Sequence, residues 1–314
     1  MKTLFATAIA ALLSTSALAG EVRTERVTFT SEGQTMVGTL YLPEGASATE
    51  RRPGVIVTGA WMTVKEQMPA IYARALAERG QIALTFDFRG WGESAGTTRN
   101  VEDPVTKTAD IVAAARFLAR RAEVRAGGVG ALGVCASAGY VVTAAAEGGA
   151  PIRSVALVAP WLQDRAIVEQ VYGGADGVAS LIATGREAAA SPTPRVVPAA
   201  SITDRSAVMF GVPYYTEADR GMVPAWNNRI DLSFWEKWLT FDSIRAAPRL
   251  TVPTLIVQSE AAALPQGTRV FAAAMPAQPT QLWLNGVSQF DFYDRPEPVR
   301  EASNAVAAHF AATL

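Results

Sequence analysis

Residues 26–30 and 36–42 alternate apolar and polar side chains, the period of strands with one buried face, and Ser31 to Gln34 supply a turn between them. Short unbroken apolar runs follow at 54–58, 82–86, 128–134, 154–159, 253–257 and 281–284. Runs of that length without alternation predict strands buried on both faces. Helical spacing fills the intervals. It covers 66–79, stopped by Gly80, and 104–121, where Ile111, Ala114, Ala115 and Leu118 share a face. It returns in the Ala-rich stretch 138–146 and in the amphipathic stretch 297–314. Strands alternating with helices predict an α/β fold, a mostly parallel sheet covered by helices on both faces. Ligands of such sheets sit at the carboxyl ends of the strands.

The alternation breaks after Pro160. From about Trp161 to Ala247 the chain is too long for a plain loop and is rich in aromatic residues. We expect a helical cap inserted at 161–247 between two parts of one core, 20–160 and 248–314. Its aromatics serve either as the cap's own core or as walls of an apolar pocket. Trp161, Tyr214, Tyr215 and Trp235 are the candidates for substrate contact.

Composition narrows the partners. The 314 residues carry a net charge of −1 and 49% hydrophobic residues, so a large core is expected and electrostatic attraction to nucleic acid is not. Past residue 20 no apolar run is long enough to span a bilayer. A small-molecule substrate or ligand is the expected partner, and the sequence is silent on oligomeric state. Residues 1–19 read as a signal peptide of a secreted or periplasmic protein. Lys2 precedes a short apolar run from Leu4 to Leu13, and Ala17-Leu18-Ala19 forms a cleavage site. Cys135 is the single cysteine, so no internal disulfide can form.

The chemistry gathers at Gly133-Val134-Cys135-Ala136-Ser137-Ala138-Gly139, between a buried strand and an Ala-rich helix. A reactive side chain flanked at plus and minus two by small residues is the pattern of a nucleophile elbow. Two registers fit, Cys135 between Gly133 and Ser137, or Ser137 between Cys135 and Gly139. Cys135 is favoured because the apolar run ends at Val134 and glycine best serves the tight approach. A helix N-terminus is expected to lower the thiol pKa. Gly128-Val129-Gly130-Ala131-Leu132-Gly133 matches a dinucleotide pattern, but its glycines lie inside the strand, so no nucleotide cofactor is expected. No His, Cys and carboxylate cluster has metal-ligand spacing, so no metal is expected either.

The elbow, the turn Asp87-Phe88-Arg89-Gly90-Trp91-Gly92-Glu93-Ser94 and the late segment Phe290-Asp291-Phe292-Tyr293-Asp294 together resemble the α/β-hydrolase superfamily. A cysteine in the elbow is similar to the dienelactone hydrolase branch. The resemblance implies an oxyanion hole made by the backbone N–H of Ala136 and that of Trp61 or Met62. It also implies a His after the last strand, where this chain has Gln289, and an Asp near 262, where it has Ala262. An amide cannot act as a general base. Glu260 and Asp291 are the carboxylates nearest those positions in sequence. His309, the only His, lies well along the closing helix, about 20 Å from its start at 1.5 Å per residue, and reads as structural.

Two readings follow. In the first, a secreted enzyme attacks ester-like or thioester-like carbonyls through Cys135, without a His; Gln289 orients substrate or water, and Glu260 or Asp291 supplies acid-base help. In the second, the fold binds a small apolar ligand and the missing triad marks loss of turnover.

Overall fold

The computed structural model describes residues 21–314; the signal-peptide expectation lies outside them. The hairpin forms as β1 (Arg23–Ser31) and β2 (Gln34–Leu42). The buried runs become β3 (Gly54–Thr58), β4 (Ile82–Phe86), β5 (Val129–Val134) and β6 (Ile152–Val158). Helices α1 (Met68–Ala77), α2 (Pro104–Ala119) and α3 (Ser137–Ala146) alternate with them. The Asp103 side chain accepts from the N–H groups of Val105 and Thr106 and starts α2, with Pro104 at its first position.

Between β6 and the next core strand run α4 (Arg165–Val171), α5 (Gly174–Ala190), β7 (Val196–Pro198), β8 (Ala200–Ser201) and β9 (Met209–Phe210). They are followed by α6 (Pro213–Thr216), β10 (Arg229–Asp231), α7 (Phe234–Leu239) and a 3-10 turn at Ile244–Arg249. The segment expected to be helical thus also carries two small ribbons, β10 with β7 and β8 with β9. Short β-branched stretches such as Arg195-Val196-Val197, lying between Pro194 and Pro198, favour extended backbone over helix. The core resumes with β11 (Thr254–Gln258), α8 (Pro265–Ala274), β12 (Thr280–Trp283), α9 (Asp291–Asp294) and α10 (Pro296–Thr313).

The eight-stranded sheet runs β1-β2-β4-β3-β5-β6-β11-β12. Its two edge pairings β1–β2 and β2–β4 are antiparallel and the others parallel. β3, β4, β5 and β11 are buried at every residue. Cys135 therefore leaves the carboxyl end of a central strand, where the chain must reverse into α3.

That reversal is tight. Cys135 takes φ +56°, and its N–H donates to the Val158 carbonyl at 3.1 Å, holding the turn against β6. A Cβ on Gly133 would lie 2.7 Å from the Ala138 Cα and 2.8 Å from the Ser137 carbonyl oxygen. Backbone cannot retreat as a flexible side chain can. Gly133→Ala should cost about 2–3 kcal/mol, read as a lower urea midpoint at an unchanged m-value; an unchanged midpoint would mean the turn opens freely.

Candidate active site

Cys135 sits at the floor of a cavity of about 320 Å³ with its side chain buried. The turn that strains its backbone aims Sγ at the start of α3, within hydrogen-bonding reach of the Ala136 and Trp61 backbone N–H groups. Trp61 follows β3, the neighbouring strand. Met62 adopts φ +60°, and both ends of its backbone are held. Its N–H donates to Glu102 Oε2 at 2.9 Å, and its carbonyl accepts the Trp226 indole N–H at 2.7 Å. The N–H of Met62, one of two expected oxyanion donors, is thus turned away to Glu102, and that of Trp61 is the one facing Sγ.

Glu102 is itself buried and anchored. Its Oε1 accepts the Tyr140 hydroxyl at 2.7 Å and lies 2.6 Å from Lys107 Nζ. The Lys107 ammonium lies over the Phe88 and Trp91 rings at 4.6 and 5.0 Å. Burial pushes its pKa below that of an ordinary lysine, and the Glu102 carboxylate opposes this. Such a pair contributes mostly by fixing geometry, because desolvation offsets its attraction.

Gln289 enters from the loop after β12 and makes three directed bonds. Its Oε1 accepts the Ala263 N–H at 3.0 Å. Its Nε2 donates to the Ala159 carbonyl at 2.9 Å and to the Tyr293 hydroxyl at 3.2 Å. A backbone N–H can only donate and a backbone carbonyl can only accept, so the amide has one orientation. Tyr293 Oη therefore receives a proton from Gln289, and its own proton is free to point at Cys135 Sγ, which lies within reach. The groups that face Sγ as donors are Tyr293, Ala136 and Trp61, and Gln289 stands beside them with both amide protons committed elsewhere.

Burial nevertheless pushes the Cys135 thiol above its ordinary pKa, and the donors only partly offset this. The sequence-based expectation of a lowered pKa is corrected here. Burial outweighs the α3 N-terminus, and among the described residues no cation faces the sulfur to reverse it.

The cavity gathers Cys135, Ala136, Gln289, Trp61, Trp161 and Tyr215 among the residues expected at the site. Others lie elsewhere. Ser137 is fully buried and donates to the Gly59 carbonyl, so the alternative register does not present its hydroxyl. Glu260 is exposed and pairs with Arg269. Asp291 accepts from the N–H and hydroxyl of Ser288 at 2.9 and 2.6 Å, closing the turn into α9. Tyr214 stands behind the wall, its ring 5.0 Å from Tyr293 and its hydroxyl accepting the Met68 N–H. Trp235 packs on Phe234 at 4.3 Å and on Tyr172 at 5.9 Å, one layer back from the cavity.

Tyr293 was not foreseen. The signal was its spacing of four from Gln289, which one helical turn brings to the same side. Tyr172 and Trp238 also line the cavity. His309 bonds Ser154 at 2.8 Å, at the far end of β6 from Val158, and is structural. Glu66, Asp87 and Glu93 converge closely enough to suggest a cation site. The Lys65 ammonium lies between them at 2.6, 2.7 and 2.7 Å and is the cation they hold.

A model of the alpha/beta hydrolase family matches residues 55–302. The chain belongs to this family. It is 31% identical over 301 residues to the uncharacterized protein PA2218 of Pseudomonas aeruginosa, covering 88% of this chain and 78% of that one. The crystal structure of PA2218 superposes with a TM-score of 0.78 at 25% identity, over 99% of this chain and 100% of that one. The polyketide transferase claH of Penicillium crustosum is 33% identical over 123 residues, 39% of this chain and 40% of that protein. A dienelactone hydrolase from Anabaena variabilis shares the fold, with a TM-score of 0.57 and 12% identity over 93% of this chain and 99% of that one. Among the described residues of this hydrolase-fold chain no helix is long and apolar enough to cross a membrane.

Removing one donor from the sulfur should raise its pKa further. A hydrogen bond to a charged group is worth about 1.5–3 kcal/mol, or one to two pH units. Tyr293→Phe should shift the pH profile of Cys135 alkylation upward by about that amount, below the pKa slowing it about tenfold or more at fixed pH. An unshifted profile would mean that the hydroxyl does not touch the thiolate. Glu102→Ala should destabilise the fold by about 3–5 kcal/mol, since it strands the buried Lys107 ammonium, as read by thermal unfolding; a loss under 1 kcal/mol would place Lys107 in water.

Proposed function

We propose that this chain is an acyl-transfer enzyme in which Cys135 attacks the carbonyl of an activated ester or thioester and carries the acyl group as a thioester. The observation that carries the reading is the strained sulfur facing the backbone N–H groups of Ala136 and Trp61. Those donors suit the charge that develops on a carbonyl oxygen during attack, and removing one such donor commonly costs about 3–4 kcal/mol of catalysis. The balance is simple. Cys135 loses its thiol proton to solvent, Sγ–C forms, the C–O or C–S bond to the leaving group breaks, and that group takes a proton from solvent.

Gln289 stands where a His would otherwise take up the proton, and its amide orients Tyr293 instead. With no titrating base beside Sγ, an activated leaving group is needed and attack grows faster as pH rises. Water is poorly activated at the same place, so the acyl-enzyme passes its group more readily to a thiol or amine than to water. The partial similarity to a polyketide transferase supports transfer, and the hydrolase fold supports acyl chemistry in general. Glu260 and Asp291 have no part in this scheme. The pattern Lys2, Leu4 to Leu13 and Ala17-Leu18-Ala19 supports placing the reaction outside the cytoplasm.

A second reading, binding without turnover, draws on the raised pKa of Cys135 and the non-titrating Gln289. Intact-mass labelling with p-nitrophenyl acetate separates the two. The enzyme reading expects a single acyl adduct at Cys135, formed faster with rising pH, and cleared faster by added cysteamine than by buffer. Absence of an adduct on the folded protein, with labelling on unfolding, would leave the binding reading.

A further inference from the structure

The cavity walls carry no charged side chain. Trp61, Trp161, Tyr172, Trp238, Tyr215 and Phe290 provide most of the surface, with aliphatic residues between them and Cys135 and Gln289 at one end. Most polar tips of the aromatics are already used, and the buried Trp61 Nε1 is a neutral donor with no partner among the described residues. Trp161 Nε1 donates to Gln163 Oε1 at 2.8 Å, and Trp238 Nε1 donates to the Tyr172 hydroxyl at 2.7 Å. Tyr215 Oη donates to the Trp61 carbonyl at 3.3 Å. Gln289 has both ends of its amide occupied.

The charges behind the wall are likewise committed. Arg220 pairs with Asp294 at 2.6 Å behind Tyr293, and Lys107 pairs with Glu102 at 2.6 Å behind the oxyanion loop. Neither cation is free to turn inward without leaving its carboxylate partner, buried Glu102 or partly buried Asp294. The indole of Trp238 lies 5.1 Å from that of Trp61, tilted by 35°, and 6.3 Å from that of Trp161, tilted by 44°. Such faces suit chains and rings of aromatic thickness. Phe210 and Val171 line the cavity and are 42% and 40% exposed, so they mark its mouth.

We infer that the acyl group carried by this site is uncharged, and that acyl groups ending in a carboxylate or an ammonium are rejected. The inference rests on the acyl-enzyme reading above and adds the substrate class. A charge at the far end of the chain would leave water for a wall with no counter-ion, where a neutral donor such as Trp61 Nε1 cannot balance it, which is strongly unfavourable. The 320 Å³ volume admits a six-carbon chain or a benzoyl group with its reacting carbonyl at Sγ.

Two matched ligands test this without chemistry. Methyl hexanoate and monomethyl adipate have the same length, and the second ends in a carboxylate. In Cys135→Ala, quenching of the pocket tryptophans should report binding of methyl hexanoate, with monomethyl adipate weaker by about a hundredfold. Lowering the pH to the carboxylate's own pKa should narrow the gap. Equal binding of the two within threefold, or binding of neither, would overturn the inference. In the unmodified protein, the hexanoyl thioester of N-acetylcysteamine should label Cys135 faster than the adipoyl thioester by a similar factor. Discrimination in Cys135→Ala with no labelling of the unmodified protein would support the pocket's selectivity and overturn the acyl-enzyme reading. Labelling by both thioesters at equal rates would overturn the inference and leave that reading standing.

Discussion

The direction of one hydrogen bond governs the candidate site. The N–H of Ala263 can only donate, so it fixes Gln289 Oε1 as an acceptor. That choice turns the Gln289 amide protons toward the Ala159 carbonyl and Tyr293, and it leaves the Tyr293 proton for Cys135. A line of donors thus runs from the loop after β11 to the sulfur. A neutral imidazole at 289 would have offered the sulfur an acceptor. The amide offers none, and the donors around Sγ offset only part of what burial costs the thiolate.

Backbone strain is concentrated around the same point. Cys135, Met62 and Ala159 all have positive φ, and each lies on a loop at the carboxyl end of a central strand. Positive φ costs about 1 kcal/mol or more for residues with a Cβ, so neighbours must hold it. Here they do. Cys135 is tied to Val158, Met62 to Glu102 and Trp226, and Ala159 to Val257 and Gln289. The buried Glu102–Lys107 pair belongs to this scaffold. It contributes little net stability by being buried, but it fixes the peptide plane between Trp61 and Met62.

These features differ in how legible they were in the sequence. The core strands and helices followed from local pattern, because each buried run had to be a strand and each Ala-rich or amphipathic interval had to cover it. The elbow was legible for the same reason, since Gly133 and Ser137 bracket a residue that sterics leave little choice. The insertion between β6 and β11 was harder. Its ribbons are only two or three residues long, too short for any period to show. Partners across long separations were illegible. Glu102 reaches Met62, and Arg220 reaches Asp294, only because the fold brings them together. Glu260 and Asp291 drew attention by nearness in sequence to missing triad positions, and the structure has each occupied with a local neighbour.

The wall and the donors have a joint consequence that neither has alone. An apolar cavity slows the approach of charged and hydrated species, and water is among the species it holds least well. Backbone donors beside the sulfur suit negative charge on a carbonyl oxygen, yet they lend no help in stripping a proton from an incoming nucleophile. In the proposed acyl transfer, attack on a carbonyl therefore depends on how good the departing group is, and departure of the bound group depends on how nucleophilic the acceptor is before it arrives. Thiols and amines bring that nucleophilicity with them, whereas water must acquire it from a base. On the proposed function, the choice of acceptor passes from the protein to the chemistry of whatever enters the mouth between Val171 and Phe210.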